Sequence, residues 1–215
     1  MKTIYCISGL GADERAFSKL EVDGYNLKVI PWLEPHTKET IQHYAKRMRA
    51  DIEGEDPVLM GLSFGGMICI EIAKQIPVQK IIIISSIKSS LELPQWMKTI
   101  AWLKLNKILP VGSSKITEPI QNRFLGITTQ EERTMVTISR KTANRKYVKW
   151  AVNEAINWKN DWQSPDIYHI HGESDNMFPI KKIKADFTIK NAGHFMIVNR
   201  ADEVSRFINQ ILHTT

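Results

Sequence analysis

Four consecutive isoleucines, Ile81 to Ile84, stand between Lys80 and Ser85. A strand that is apolar at every position has both faces covered, and strands of this kind belong to parallel sheets; a strand with one wet face alternates instead. The run is far too short to span a bilayer. Parallel strands need crossover connections, so strands and helices should alternate along the chain. Short apolar runs predict strands at about Thr3–Ile7, Leu27–Trp32, Val58–Leu62, Lys80–Ser85, Ile167–His171 and Asp186–Lys190. Helical spacing predicts a short helix over Asp13–Leu20 and another over Lys38–Ile52, with Ile41, Ala45, Met48 and Ile52 on one face. Two more are predicted over Phe64–Ile76, ended by Pro77, and over Asp202–Leu212. The fold class is α/β, with six mostly or wholly parallel strands between helical layers.

The stretch from Ile87 to Gln163 breaks this alternation. It reads as successive helices interrupted at Pro110-Val111-Gly112-Ser113, at Gly126 and at Asn144. The expected organisation is a core of residues 1–86 and 164–215, with a helical cap, 87–163, inserted after the fourth strand. Such an insertion lies over the C-terminal strand ends, where open α/β sheets bind ligands, and the Pro110 break is a candidate hinge. The segment holds Trp96, Trp102, Trp150, Trp158 and Trp162, five of the six tryptophans, which either line an apolar pocket or pack the cap helices. It also carries 13 Lys and Arg against 6 Asp and Glu between Lys88 and Gln163, the whole excess of a chain whose formal charge is +6. A solvated helical face is the common reason for such a bias, and steering of an acidic substrate is the other. No nucleic-acid module accompanies it. Neither Cys6 nor Cys69 has metal-ligand spacing, and both read as reduced, buried thiols. The apolar run at Met1–Gly9 is too short for a signal-peptide core, so a cytoplasmic protein without a membrane span is expected. The sequence leaves oligomeric state open.

The chemistry is concentrated in Val58-Leu59-Met60-Gly61-Leu62-Ser63-Phe64-Gly65-Gly66-Met67. This is G-x-S-x-G between a strand and a helix. A serine on so sharp a turn has strained backbone geometry, and side chains two residues away on either side would collide with the turn. Gly61 and Gly65 leave that room, and Gly66 lets the helix approach the sheet. The turn exposes the Ser63 hydroxyl at a helix N-terminus, where the dipole favours negative charge.

A serine hydroxyl needs a base. Of six histidines, His194 in Asn191-Ala192-Gly193-His194-Phe195 falls in a loop after the last strand, at the same sheet edge as Ser63. His169 and His171 lie within a strand, His36 and His43 flank or occupy the second helix, and His213 is in the tail. The base needs an acid to hold its tautomer. Asp175, in His171-Gly172-Glu173-Ser174-Asp175, follows the fifth strand at that edge; Glu173 is a nearby rival, and Asp161 and Asp166 are remoter ones. The fourth strand ends in Ser85-Ser86-Ile87 and offers no acid. Two backbone N–H groups are candidates for an oxyanion site: that of Phe64, just after the serine, and that of Leu10 in Ser8-Gly9-Leu10-Gly11-Ala12.

These three stretches, Gly61–Gly66, His171–Asp175 and Asn191–Phe195, in the chain order Ser, Asp, His, resemble the α/β-hydrolase superfamily over nearly the whole chain. The resemblance implies a three-layer α/β-hydrolase fold and a cap between the fourth and fifth strands. It also implies a carboxylesterase-like serine hydrolase that acts through an acyl-enzyme, with Ser63 as nucleophile, His194 as base and Asp175 as acid. The substrate implied is a small to medium, partly apolar ester or thioester, and no metal or organic cofactor is called for. A C–C hydrolase or lyase using the same residues, or a non-catalytic binding protein, are the alternatives; epoxide hydrolases and dehalogenases of this fold need an aspartate at position 63. Three departures stand out. The oxyanion loop begins near residue 8, leaving no room for the family's two leading antiparallel strands. It reads Ser8-Gly9 where the family often has His-Gly. The interval from Asp175 to His194 is short, so the helix between them is reduced to a turn or two.

Overall fold

The computed structural model describes residues 1–107 and 117–214. Its sheet has six parallel strands in the order β2-β1-β3-β4-β5-β6, with β1 Lys2–Ile7, β2 Tyr25–Val29, β3 Val58–Leu62, β4 Lys80–Ile84, β5 Ile167–Gly172 and β6 Phe187–Ile189. The chain starts one strand in from an edge, steps outward to β2, then crosses back past β1 to β3. That reversal beside β1 opens a crevice at the C-terminal strand ends. The four isoleucines of β4 divide between the faces, because successive side chains in a strand point to opposite sides. Ile81 and Ile83 join Tyr5, Ile7, Leu59 and residues of the helices α1 (Ile41–Met48) and α2 (Phe64–Ala73). Ile82 and Ile84 join Ile4, Cys6, Met60 and the inner stripe of the last helix, Val204, Ile208 and Ile211.

Departures from the expected boundaries have local causes. β2 ends at Val29 rather than Trp32. Ile30 still donates to Cys6 O at 2.9 Å, but Pro31 has no N–H with which to continue the ladder. The helix expected over Asp13–Leu20 is a single 3₁₀ turn, Glu14–Phe17, begun by the Asp13 side chain accepting from Arg15 N–H. α1 starts at Ile41, because the Thr40 hydroxyl caps His43 N–H and Lys38 lies at φ 58°. It tightens into a 3₁₀ turn at Arg49–Asp51.

Between β4 and β5 the described residues form α3 (Gln95–Trp102), α4 (Glu118–Leu125), α5 (Gln130–Thr142) and α6 (Arg145–Asn157). Gly126, left-handed at φ 70°, closes α4, and Thr129 with Glu132 forms a capping box that opens α5. Asn144 caps α6 through Lys146 N and Tyr147 N. The expected break at Pro110–Ser113 lies outside the described residues. α6 is stitched to the core by two indoles: Trp150 Nε1–H donates to Glu39 O at 2.7 Å, and Trp158 Nε1–H to the Glu71 carboxylate at 2.8 Å. Those two tryptophans pack, whereas Trp102 is largely exposed. After β6 come α7 (Met196–Asn199) and α8 (Ala201–His213). Cys6 and Cys69 are free and buried, and burial pushes both thiols up from their ordinary range. No helix among the described residues is long and apolar enough to cross a membrane.

Candidate functional site

Ser63 follows β3 directly and opens α2 at φ 52°, ψ −118°, a conformation costly for a residue with a Cβ. The ladder holds it there: Ser63 N–H donates to Ile84 O at 2.9 Å, and the Ser86 hydroxyl donates to Ser63 O at 2.6 Å. The glycines meet the steric demand the sequence implies. A Cβ on Gly61 would stand 2.5 Å from Gly65 and Gly66 backbone atoms, and one on Gly65 would stand 2.1 Å from Ile7 O.

His194 and Asp175 reach Ser63 from two other loops at the same edge. The Asp175 carboxylate accepts Met177 N–H at 2.7 Å and Phe178 N–H at 2.9 Å through Oδ1. Its Oδ2 lies 2.8 Å from His194 Nδ1, and His194 Nε2 lies 3.0 Å from Ser63 Oγ. An ionised carboxylate only accepts, so Nδ1 carries the proton and Nε2 offers its lone pair to the serine hydroxyl. Burial raises the Asp175 carboxyl, but the charge and hydrogen bond of His194, with His171 and Phe178 N–H, outweigh it and hold the group below its ordinary value. The rivals lie elsewhere: Glu173 is exposed and accepts from Thr188, Asp166 pairs with Ser164 at the start of β5, and Asp161 is exposed.

The two loops are laced together. Glu173 N–H donates to Ile189 O and Ser174 N–H to Ala192 O. Gly172 permits this, since a Cβ there would stand 2.4 Å from Ala192 O. The expected short connection is a single 3₁₀ turn, Ile180–Lys182. The end of α4 supports the histidine loop from above: Phe195 N–H donates to Leu125 O at 2.9 Å, and Gly126 touches Gly193.

Leu10 and Phe64 flank the serine. The position a Gly9 Cβ would take is 3.6 Å from Ser63 Cβ, so the loop after β1 lies against Ser63. Among the described residues neither the Leu10 nor the Phe64 N–H meets an acceptor. Ser8 braces this loop, its hydroxyl donating to Ala12 O at 2.8 Å.

Several neighbours were not singled out by sequence. Trp32 stacks on Phe64 with centroids 5.8 Å apart and donates through Nε1 to Ala12 O, joining the start of α2 to the loop after β1. Its one signal is position: it is the sole tryptophan outside the middle segment, just past β2 at the strand C-terminal edge. Tyr147 packs 4.9 Å from Trp32, and its hydroxyl is buried without a partner among the described residues. A recess of about 240 Å³ lies beside this loop, lined by Gly11, Ala12, Trp32, Asn144 and Tyr147 among others. Behind Asp175, His171 Nε2–H donates to Phe178 O at 2.8 Å and His169 Nε2–H to His171 Nδ1 at 3.1 Å. Burial lowers the pKa of both imidazoles, His169 furthest, so both rings are neutral.

No family model matches the chain, and no curated protein matches it by sequence. Solved structures do match its fold. The epoxide hydrolase of Bacillus megaterium superposes with a TM-score of 0.70 at 12% identity, covering 100% of this chain and 94% of that one. A thermophilic esterase from Thermogutta terrifontis gives 0.63 at 16%, covering 99% and 89%. The N-acyl homoserine lactonase AidH, complexed with N-butanoyl homoserine, gives 0.69 at 17%, covering 100% and 91%. At these identities the likeness extends to the fold.

Proposed function

We propose, from the premise that this chain has the α/β-hydrolase fold, that it is a serine hydrolase cleaving a carboxylic ester or thioester of a small to medium, partly apolar substrate. The observation that carries this reading is the hydrogen-bonded series from Ser63 Oγ through His194 to Asp175, at 3.0 and 2.8 Å, beginning at a strained serine. A binding protein has no need of that alignment. Two of the similar folds, an esterase and a lactonase, are compatible with it.

In the proposed mechanism Ser63 Oγ attacks the substrate carbonyl carbon while its proton passes to His194 Nε2. The negative oxygen of the tetrahedral species is met by the N–H groups of Leu10 and Phe64. The bond to the leaving group then breaks, and His194 returns the proton to that group. Water repeats the sequence and releases the acid and free Ser63. Asp175 keeps the proton on Nδ1 and stabilises the imidazolium. The segment 87–163 serves as the cap.

The test is labelling with a fluorophosphonate probe and mapping of the modified peptide by mass spectrometry. Modification at Ser63, abolished by heat denaturation and by Ser63→Ala, is expected. Turnover of a panel of esters and thioesters should fall by about 10⁴-fold or more in Ser63→Ala. Retained turnover in that variant, or no labelling of the folded protein, would defeat the reading.

A further inference from the structure

On the approach to α1, far along the chain from Ser63, two imidazoles converge on one buried carboxylate. The Glu39 side chain is only 1% accessible. Its Oε2 accepts His36 N–H at 2.7 Å and Arg47 Nη1–H at 2.8 Å. Its Oε1 lies 2.6 Å from His43 Nδ1 and 3.9 Å from His36 Nδ1. The three potential ligand atoms all lie within 4.8 Å of one another. Along the chain His43 stands four residues after Glu39, in the first turn of α1, and His36 three residues before it in the loop after β2.

We propose that His36, Glu39 and His43 form a binding site for a divalent transition ion of the zinc class. Two imidazole nitrogens and one carboxylate oxygen suit Zn²⁺ and its neighbours rather than Mg²⁺ or Ca²⁺, which favour all-oxygen sites. With bonds of about 2.0–2.2 Å, tetrahedral ligand atoms stand roughly 3.4 Å apart. The contact from Glu39 to His43 therefore opens slightly and that to His36 closes. Both movements fall on imidazoles whose side chains are 58% and 63% accessible, while the carboxylate stays fixed. On binding, the His43 ring proton moves to Nε2, and the Nδ1 lone pair faces the ion. Water completes the coordination from the exposed side. Arg47 bonds Oε2, the far oxygen, so it fixes the carboxylate without occupying the oxygen that faces the ion.

The site would join two pieces of chain. His36 and Glu39 belong to the loop that carries Trp32 against Phe64, and His43 belongs to the first turn of α1. An ion there would clip the loop to the helix. The proposal does not depend on the hydrolase reading.

Isothermal titration of the chelator-stripped, full-length protein with Zn²⁺ alone tests it. One binding event per chain is expected. His36→Gln and His43→Gln should each weaken that event by more than the roughly 10- to 100-fold typical of losing an outer-shell partner. His213→Gln, an exposed histidine elsewhere, should leave it unchanged. No Zn²⁺ binding by the wild type, or equal binding by the His36 and His43 variants, would overturn the proposal. Should a variant fail to fold, wild-type protein decides the matter through carbethoxylation followed by peptide mass spectrometry. Zn²⁺ should slow modification of His36 and His43 but not of His213; equal rates with and without Zn²⁺ would overturn it.

Discussion

Ser63 stands at φ 52° because the chain must turn from a buried strand into a helix within one residue, and the hydroxyl is thereby lifted clear of the sheet edge. The strain is held by Ser63 N–H on Ile84 O and by Ser86 on Ser63 O. At this scale the most informative variant is Asp175→Asn. It keeps an oxygen for Met177 N–H and Phe178 N–H, but it removes the negative charge that fixes the proton on His194 Nδ1. A fall in kcat of about 10⁴-fold is expected, with the fold intact by circular dichroism. Activity near wild type would show that Asp175 is not the orienting acid.

Gly65 and Trp158 govern how the elements approach one another. A Cβ on Gly65 would meet the Ile7 and Ser8 carbonyls at 2.1 and 2.4 Å, and backbone cannot rotate away as a side chain can. Gly65→Ala should cost about 3 kcal/mol or more in urea unfolding, the upper part of the usual overpacking range, because α2 must lift from β1. A cost below about 1 kcal/mol would mean that the helix is not seated as described. α6 depends on a polar tie. Glu71 is buried in α2 with its carboxylate shared by Lys74 and Trp158. Trp158→Phe removes one donor from that carboxylate, and a loss of about 1–3 kcal/mol is expected in the same assay. The conservative Lys74→Arg should be nearly neutral.

Across the whole molecule, stability should respond to pH through His169 and His171. Both stay neutral in the fold because burial lowers their pKa values, whereas in the unfolded chain they take up protons near pH 6.5. The unfolded state then binds more protons below that pH, so unfolding free energy falls as pH drops from about 7.5 to 5.5. Asp175 acts lower. Its depressed pKa contributes stability that is complete above the unfolded value, near pH 4, and is lost as pH falls through the folded value. Urea midpoints across this range, with imidazole ¹⁵N shifts to follow the two rings, check the order of events. Protonation of His169 or His171 at a higher pH in the folded than in the unfolded protein would contradict it. The basic excess between Lys88 and Gln163 also acts at this scale, since α4 and α6 border the site. If it steers substrates, kcat/KM for an ester bearing a carboxylate should fall with salt more steeply than for a neutral one. Identical salt responses would reduce the excess to a solvated face.

What the sequence determined by itself was set by local chemistry. Four isoleucines require two covered faces, and Gly61, Gly65 and Gly66 around Ser63 announce a crowded turn. Gly126 and Asn144 mark helix ends through left-handed backbone and side-chain capping. The positions of Ser63, Asp175 and His194 were also legible, because each lies at or in the loop just after a strand and parallel strands end at one edge. Boundaries were blurred where one residue outweighs a pattern: Pro31 ends β2, and Lys38 with Thr40 delays α1. Only the tertiary structure decided which distant groups meet. The stacking of Trp32 on Phe64 and the seat of α4 on the histidine loop depend on side-chain direction and close approach. Those are properties of the packed core as a whole, and no spacing along the chain encodes them.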